Sequence, residues 1–190
     1  MSVAIPELPG APAIAALLAA ALLLPAAPAA AQVAGKEEAA VRAIFPDASR
    51  IEARDVLLTD EMVKRIEGLA RARVKDRLVT FYAAHGPGGL SGYAVIHSHV
   101  VRTKPETIAI AFEPDGRIRK ITVLAFLEPE EYRPSERWLA QFRGRGGSDR
   151  LAVGQDIAPI TGATLTARGI AEESRWLLQA LREAAPEVPR

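Results

Sequence analysis

The sequence predicts an α+β fold: an antiparallel sheet of about four or more strands with helices packed on it. Three observations predict it. From Asp76 onward apolar and polar residues alternate in successive short runs, the period of a half-buried strand. No helical pattern separates these runs, so neighbouring strands pair antiparallel. Helical periodicity flanks them on both sides, before residue 73 and after residue 134.

Residues 36–45, Lys-Glu-Glu-Ala-Ala-Val-Arg-Ala-Ile-Phe, suit a short amphipathic helix stopped by Pro46, with Val41, Ile44 and Phe45 inward. Thr59 is placed to cap a second helix that runs to about Ala72. Met62, Ile66 and Leu69 share one side of it, and Lys64, Arg65, Arg71 and Arg73 form a solvated face. The strand runs are 78–83, 92–101, 107–113 and 118–127, with the glycine-rich loop His85-Gly86-Pro87-Gly88-Gly89 after the first. Ile108, Ile110 and Phe112 share a face, as do Ile121, Val123 and Ala125, and Pro114-Asp115-Gly116 turns the chain between them. Ser135 and Glu136 open a helix through Arg143 that presents Trp138, Leu139 and Phe142, and Gly144-Arg145-Gly146-Gly147-Ser148 ends it. The last helix covers about 165–183: Ala167, Ile170, Ala171, Ser174, Leu177, Leu178 and Leu181 make its apolar face, opposite Arg168, Glu172, Arg175, Gln179 and Arg182.

A length of 190 residues suits one domain plus a leader. A net charge of +1 argues against a nucleic-acid groove or a polybasic membrane patch. The absence of cysteine excludes disulfides, thiolate-held iron–sulfur clusters, covalent c-type haem and a cysteine nucleophile. Residues 13–24 are uncharged and apolar, Pro25 and Pro28 break the run, and Ala29-Ala30-Ala31 precedes Gln32. This is the pattern of an export signal cleaved after Ala31, which implies a soluble periplasmic protein. The run is short for a membrane span. It departs from the usual signal in having Glu7 and no Lys or Arg before Lys36, so an uncleaved membrane anchor is the alternative. The expected organisation is a signal segment at 1–31, a helical segment at 32–75, a domain at 76–185 and a short tail at 186–190.

The stretch that carries chemistry is Ile160-Thr161-Gly162-Ala163-Thr164-Leu165-Thr166, directly before the last helix. Glycine lets the backbone approach a ligand, alanine adds no bulk, and a helix N-terminus offers unpaired N–H groups and the positive dipole end to a phosphate. Thr164 would hold its hydroxyl beside that phosphate. The residues alone fit a threonine-capped helix after a loop more readily than a phosphate site.

Thr161-Gly162-Ala163-Thr164 followed by Leu165-Thr166 resembles the S/T-G-A-T-x-T/S motif of the FMN-binding domain family, which includes flavin-bearing subunits of Rnf- and Nqr-type electron-transport complexes. Gly92-Tyr93, Glu113-Pro114-Asp115-Gly116-Arg117-Ile118 and Phe142-Arg143-Gly144 fall in the family's order, so the resemblance covers roughly 76–184. It implies FMN linked to the Thr164 side-chain oxygen by a phosphoester bond, attached by a separate flavin transferase with FAD as donor. It further implies that Thr161, Gly162, Ala163, Leu165 and Thr166 shape the phosphate cradle, and that the ring approaches the loop carrying Glu128 and Tyr132. Two positions depart from the family. Its acid shortly before the motif is replaced by Ala158, with Asp156 two residues earlier, and its E-T-P loop reads Glu128-Pro129-Glu130-Glu131-Tyr132.

Other candidates are weaker. Lys104, at a strand end, suits either neutralisation of a reduced flavin or its phosphate, or plain solvation. His97 and His99 share a strand face with Tyr93 and Val95; imidazoles suit a metal, but no third ligand stands at sensible spacing, and an exposed or groove-lining face is the other reading. Residues 86–92 are glycine-rich without the strand–GxGxxG–helix setting of a dinucleotide site or a P-loop lysine. Acidic residues at 128–131 suit acid–base work or simple complementation of a helix dipole. No nucleophile–base pair is evident. The expectation is an electron carrier rather than an enzyme with its own substrate, exchanging electrons with membrane or periplasmic redox proteins, cytochrome- or quinone-linked. A non-covalent FMN-binding sensor or adaptor is the alternative.

Overall fold

The computed structural model describes residues 29–185. Helix α1 (Ala29–Ile44) leads into strand β1 (Arg50–Leu57) and helix α2 (Asp60–Ala70). Four strands follow without interruption: β2 (Leu78–Gly86), β3 (Gly89–Val100), β4 (Pro105–Phe112) and β5 (Ile118–Phe126). A 3-10 turn (Glu130–Tyr132), the short helix α3 (Glu136–Leu139) with a second 3-10 turn (Ala140–Phe142), and the long helix α4 (Thr164–Ala184) complete the chain. The strands form one five-stranded antiparallel meander, β1-β2-β3-β4-β5, so the fold is α+β.

A bulge after Val123 turns Ala125, expected beside Ile121 and Val123, to the other face, where it is exposed. β2 to β4 and the rest of β5 follow the alternation read from the sequence. β1 does not, because Val56 is its only buried residue. It is an edge strand paired with β2 from Arg50↔His85 to Leu57↔Leu78, and its charged residues keep the open edge from recruiting another strand. The sheet therefore crosses position 76, where the sequence reading divided a helical segment from a domain. The expected 85–89 loop is also tighter than predicted. Gly86 pairs with Gly89, leaving Pro87-Gly88 as the turn, and His85 stays within β2. Gly92, at φ +151°, cannot be replaced, since a Cβ there would meet the Phe112 carbonyl and the Phe45 ring.

The sheet is covered on both faces. On one, Phe81, Val95, Ile108, Ile110 and Ile121 pack under α4 and α2, which also pack on each other. On the other, Val41 of α1 and Phe45 just after it sit on Tyr82, Ala84, Ala94 and Ala111. Tyr82 also donates to Glu37, and burial, reinforced by that carboxylate, pushes its phenol above its ordinary range. α1 starts well before the predicted position 36. The expected signal segment and the tail at 186–190 lie outside the described residues, apart from Ala29–Ala31, which open α1. No helix among the described residues is long and apolar enough to cross a membrane.

Candidate functional site at the head of α4

The chain is steered to the start of α4 by a series of main-chain anchors. The Asp156 carboxylate accepts the N–H groups of Leu151 (3.0 Å) and Ala152 (2.7 Å). Burial alone would raise the Asp156 pKa, but those two N–H groups, with Arg145 nearby, bring it below its ordinary value. Trp138 Nε1 donates to the Ala158 carbonyl at 2.6 Å, and Gln141 Oε1 accepts the Ala158 N–H at 2.8 Å. The segment before the motif is thus pinned to α3 and the turn behind it. Asp156 is committed to its own loop, and Trp138, almost fully buried, acts as an anchor in the core.

A turn then aims the helix. The Ala163 N–H donates to the Ile160 carbonyl at 3.1 Å, with Gly162 at φ +80° between them. That left-handed position favours glycine over any L side chain. α4 begins directly after Ala163, which supplies no side-chain cap. The first main-chain bond back into the helix is Ala167 N–H to the Ala163 carbonyl, 3.1 Å. The N–H groups of Thr164, Leu165 and Thr166 precede it and have no intrahelical acceptor.

These residues form one wall of a cleft of about 240 Å³, whose other wall is Val101, Arg102, Glu128 and Tyr132. Thr164 is exposed in it, Leu165 is half exposed, and Ala163 and Thr166 are buried. The opposite wall is built by Glu128. One carboxylate oxygen accepts three successive N–H groups, from Arg102 (3.1 Å), Thr103 (2.7 Å) and Lys104 (2.8 Å). The Thr103 and Lys104 bonds are the largest cause of its lowered pKa. Glu128 thereby folds the β3–β4 connection, which the Val101 N–H closes on the Lys104 carbonyl at 3.1 Å.

The predicted residues divide accordingly. Gly162, Ala163, Thr164, Leu165, Thr166, Glu128 and Tyr132 converge on the cleft. Thr161 is exposed in the turn and lies outside the lining. Lys104 also lies outside it, and its contribution is the main-chain N–H that Glu128 accepts. The cation in the wall is Arg102, which sequence reasoning did not single out, because nothing in the pattern separates it from Lys104 two residues on.

His97 and His99 are neither exposed nor groove-lining, since both are buried beneath α4. His97 Nε2 lies 3.1 Å from Glu173 Oε2, and its ring meets Trp176 edge-on at 5.1 Å. Lys75 and Trp176 Nε1 donate to Glu173, whereas His97 Nε2 has no aligned hydrogen bond. Burial by itself would raise the Glu173 pKa, but His97, Lys75 and Trp176 together hold it at about 2. His99 Nε2 lies 3.3 Å from Glu106 Oε2, its cross-strand neighbour, and none of the pair's polar side-chain atoms has an aligned hydrogen-bond partner. α4 crosses this pair at Gly169, where a Cβ would stand 2.8 Å from His99 Nε2. Val101, the next residue on the His99 face, and Thr166, one turn before Gly169, both line the cleft, so the pair lies just beneath it. Among the described residues no group of three or more His, Asp or Glu side chains is arranged to hold a metal ion.

In a comparison with known proteins, no family model and no curated protein sequence matches this chain.

Proposed function

We propose that the protein is an extracytoplasmic electron carrier that holds FMN through a phosphoester to the Thr164 hydroxyl. The observation that carries this reading is the open start of α4: three N–H groups without a cap, facing a cleft in which Thr164 is exposed. Such a terminus suits a phosphate through its N–H groups and its dipole. In the attachment step a flavin transferase would present FAD. The Thr164 oxygen attacks the FMN phosphorus, the P–O–P bond breaks, AMP leaves, and the hydroxyl proton passes to solvent or to the transferase.

The cleft residues fit the cofactor by kind. Arg102 supplies positive charge for an anion, and Val101, Leu165 and Tyr132 supply apolar and aromatic surface. The cleft is smaller than the roughly 300–1,000 Å³ typical of small-molecule pockets, so a three-ring system would extend beyond it. A flavin in that position stays accessible to redox partners. Bound flavin accepts one or two electrons, and the protein adds orientation and charge. The partners fitting this reading are the transferase and cytochrome- or quinone-linked proteins of the membrane or periplasm.

Ala158 favours a second reading, a non-covalent FMN-binding sensor or adaptor. The family's acidic position is empty of charge here, and Asp156 is held in its own loop. Fluorescence on a denaturing gel, after co-expression with a flavin transferase, separates the two. A fluorescent band in the wild type that Thr164→Ala abolishes supports covalent FMN. Flavin that co-purifies but leaves the band dark supports the second reading. No bound flavin of either kind overturns both.

A further inference from the structure

A cavity larger than the cleft lies away from it, between the end of α2, the 146–155 loop and one side of α4, and measures about 400 Å³. Three guanidinium groups line it, from Arg71, Arg150 and Arg175. Among the described residues none of the three forms an ion pair with a carboxylate. The only acidic lining residue is Asp149, and it is already engaged by Arg145 at 3.4 Å and by the Gly146 N–H at 2.7 Å. The cavity is therefore lined by three arginines that no carboxylate among the described residues contacts.

Arg175 is the informative member. It is only partly exposed, and burial is the main cause that lowers its pKa. Its Nε donates to the Ala70 carbonyl at 2.9 Å and its Nη1 to the Leu151 carbonyl at 2.9 Å. Those bonds tie the end of α2 and the 151 loop to α4, and they explain two nitrogens of the fork. They use neutral acceptors; Glu172 and Asp156 favour the charge only from beyond contact distance, so it has no contacting counter-ion. Removing a cation from water without one is costly, and a bound anion would offset that cost. Arg71 and Arg150 stand at the rim, where Arg150 bonds only to Gln155, at 2.9 Å. The backbone is strained at the same place. Arg71 (φ +50°) and Leu151 (φ +46°) are the only non-glycine residues in the left-handed region among the described residues, and both line this cavity.

We infer that this cavity is a binding site for a small oxyanion-bearing solute, held by Arg71, Arg150 and Arg175. The proposal is independent of the flavin reading. Guanidinium forks match the oxygens of phosphate and carboxylate groups, so either chemistry fits, and the cavity admits a molecule larger than a bare ion.

The test uses the full chain at constant ionic strength. Inorganic phosphate and citrate are titrated separately, with sodium chloride as reference, and the amide shifts of Gly147, Ser148 and Arg150 are followed by NMR. Saturable shifts with phosphate or citrate are expected, and the anion that saturates at lower concentration identifies the chemistry. The double variant Arg71→Ser/Arg150→Ser should bind about tenfold more weakly or worse, the loss of one or two charge-assisted hydrogen bonds. Arg175→Lys, which keeps the charge but loses the fork, should weaken binding further. If that variant does not fold, the serine pair carries the test alone. Shifts that never saturate, that sodium chloride reproduces, or that the serine pair leaves unchanged would overturn the site. Flavin attachment at Thr164 should be unaffected by the serine pair, so failure of one reading is distinguishable from failure of the other.

Discussion

Helices α2 and α4 begin in opposite ways. α2 starts behind Thr59, whose hydroxyl accepts the Met62 N–H at 3.2 Å. The short α3 is capped in the same manner by Ser135, which accepts from Trp138 N–H at 3.2 Å. α4, the longest described helix at 21 residues, starts behind Ala163, which caps nothing. Its hydroxyl comes one residue too late for capping, at Thr164, and points the chemistry outward into a cleft. A helix that lacks its cap where α2 and α3 have one is a helix whose missing acceptor can come from a ligand. The bodies of the two helices differ as well. α2 is a covering helix with one solvated face, whereas α4 buries Glu173, Ser174 and Gln179 along with its apolar residues.

The largest expected effect lies in the body of α4. Glu173→Leu leaves Lys75 and Trp176 without their shared acceptor and His97 without its facing carboxylate, and should cost roughly 3–5 kcal/mol. Glu61→Gln, on the exposed side of α2, should stay within about 0.5 kcal/mol. Urea midpoints of the two variants measure the contrast, and equal midpoints would break it. The same carboxylate sets a pH dependence. Its folded pKa of about 2 lies below the ordinary 4.5, so its contribution is complete above pH 4.5 and is lost as pH falls through 2. By linkage that contribution is about 3 kcal/mol. Acid titrations of stability should show a flatter slope below pH 4.5 for Glu173→Gln than for the wild type.

Two helical glycines, one in α4 and one in α2, give a smaller, opposite-signed pair. Gly169→Ala drives a Cβ to 2.8 Å from the buried His99 ring. It should destabilise by about 1–3 kcal/mol, as overpacked cores do. Gly68 in α2 has open space around it, so Gly68→Ala should stabilise by about 0.5–1 kcal/mol. Thermal melts that move in the same direction for both would contradict the packing described.

The helix starts give the smallest stability changes and the sharpest functional contrast. Thr59→Ala should cost about 1 kcal/mol. Ala163→Ser, which supplies α4 with an acceptor, should leave stability unchanged or slightly raised. It should also reduce flavin loading, because the new hydroxyl competes for the N–H groups that face the phosphate. A serine variant that loads flavin fully would show that the open helix start is irrelevant to binding.

Much of this contrast was legible in the sequence. Thr59 read as a cap because it directly precedes a helical pattern, Ser135 read as the first residue of a helix that it in fact caps, and the start of α4 read correctly from the pattern after Ala163. β2 to β5 were legible because their alternation follows burial on a covered sheet. β1 was not, since an edge strand with one buried residue carries little alternation. The histidines were placed on a shared face correctly, but which side α4 covers depends on packing that strand periodicity does not encode. Glu128 was assigned to the ring contact, whereas its described partners are three main-chain N–H groups, which no side-chain pattern can announce. Arg102 faces the cleft only because that carboxylate folds the turn around it.

The central claim concerns one oxygen atom, and intact mass spectrometry of the purified protein reads it directly. After co-expression with a flavin transferase, the wild type should be heavier than its polypeptide by one FMN less one water, and Thr164→Ala should carry no increment. A wild-type mass equal to the bare polypeptide, or an increment that persists in Thr164→Ala, would contradict the account.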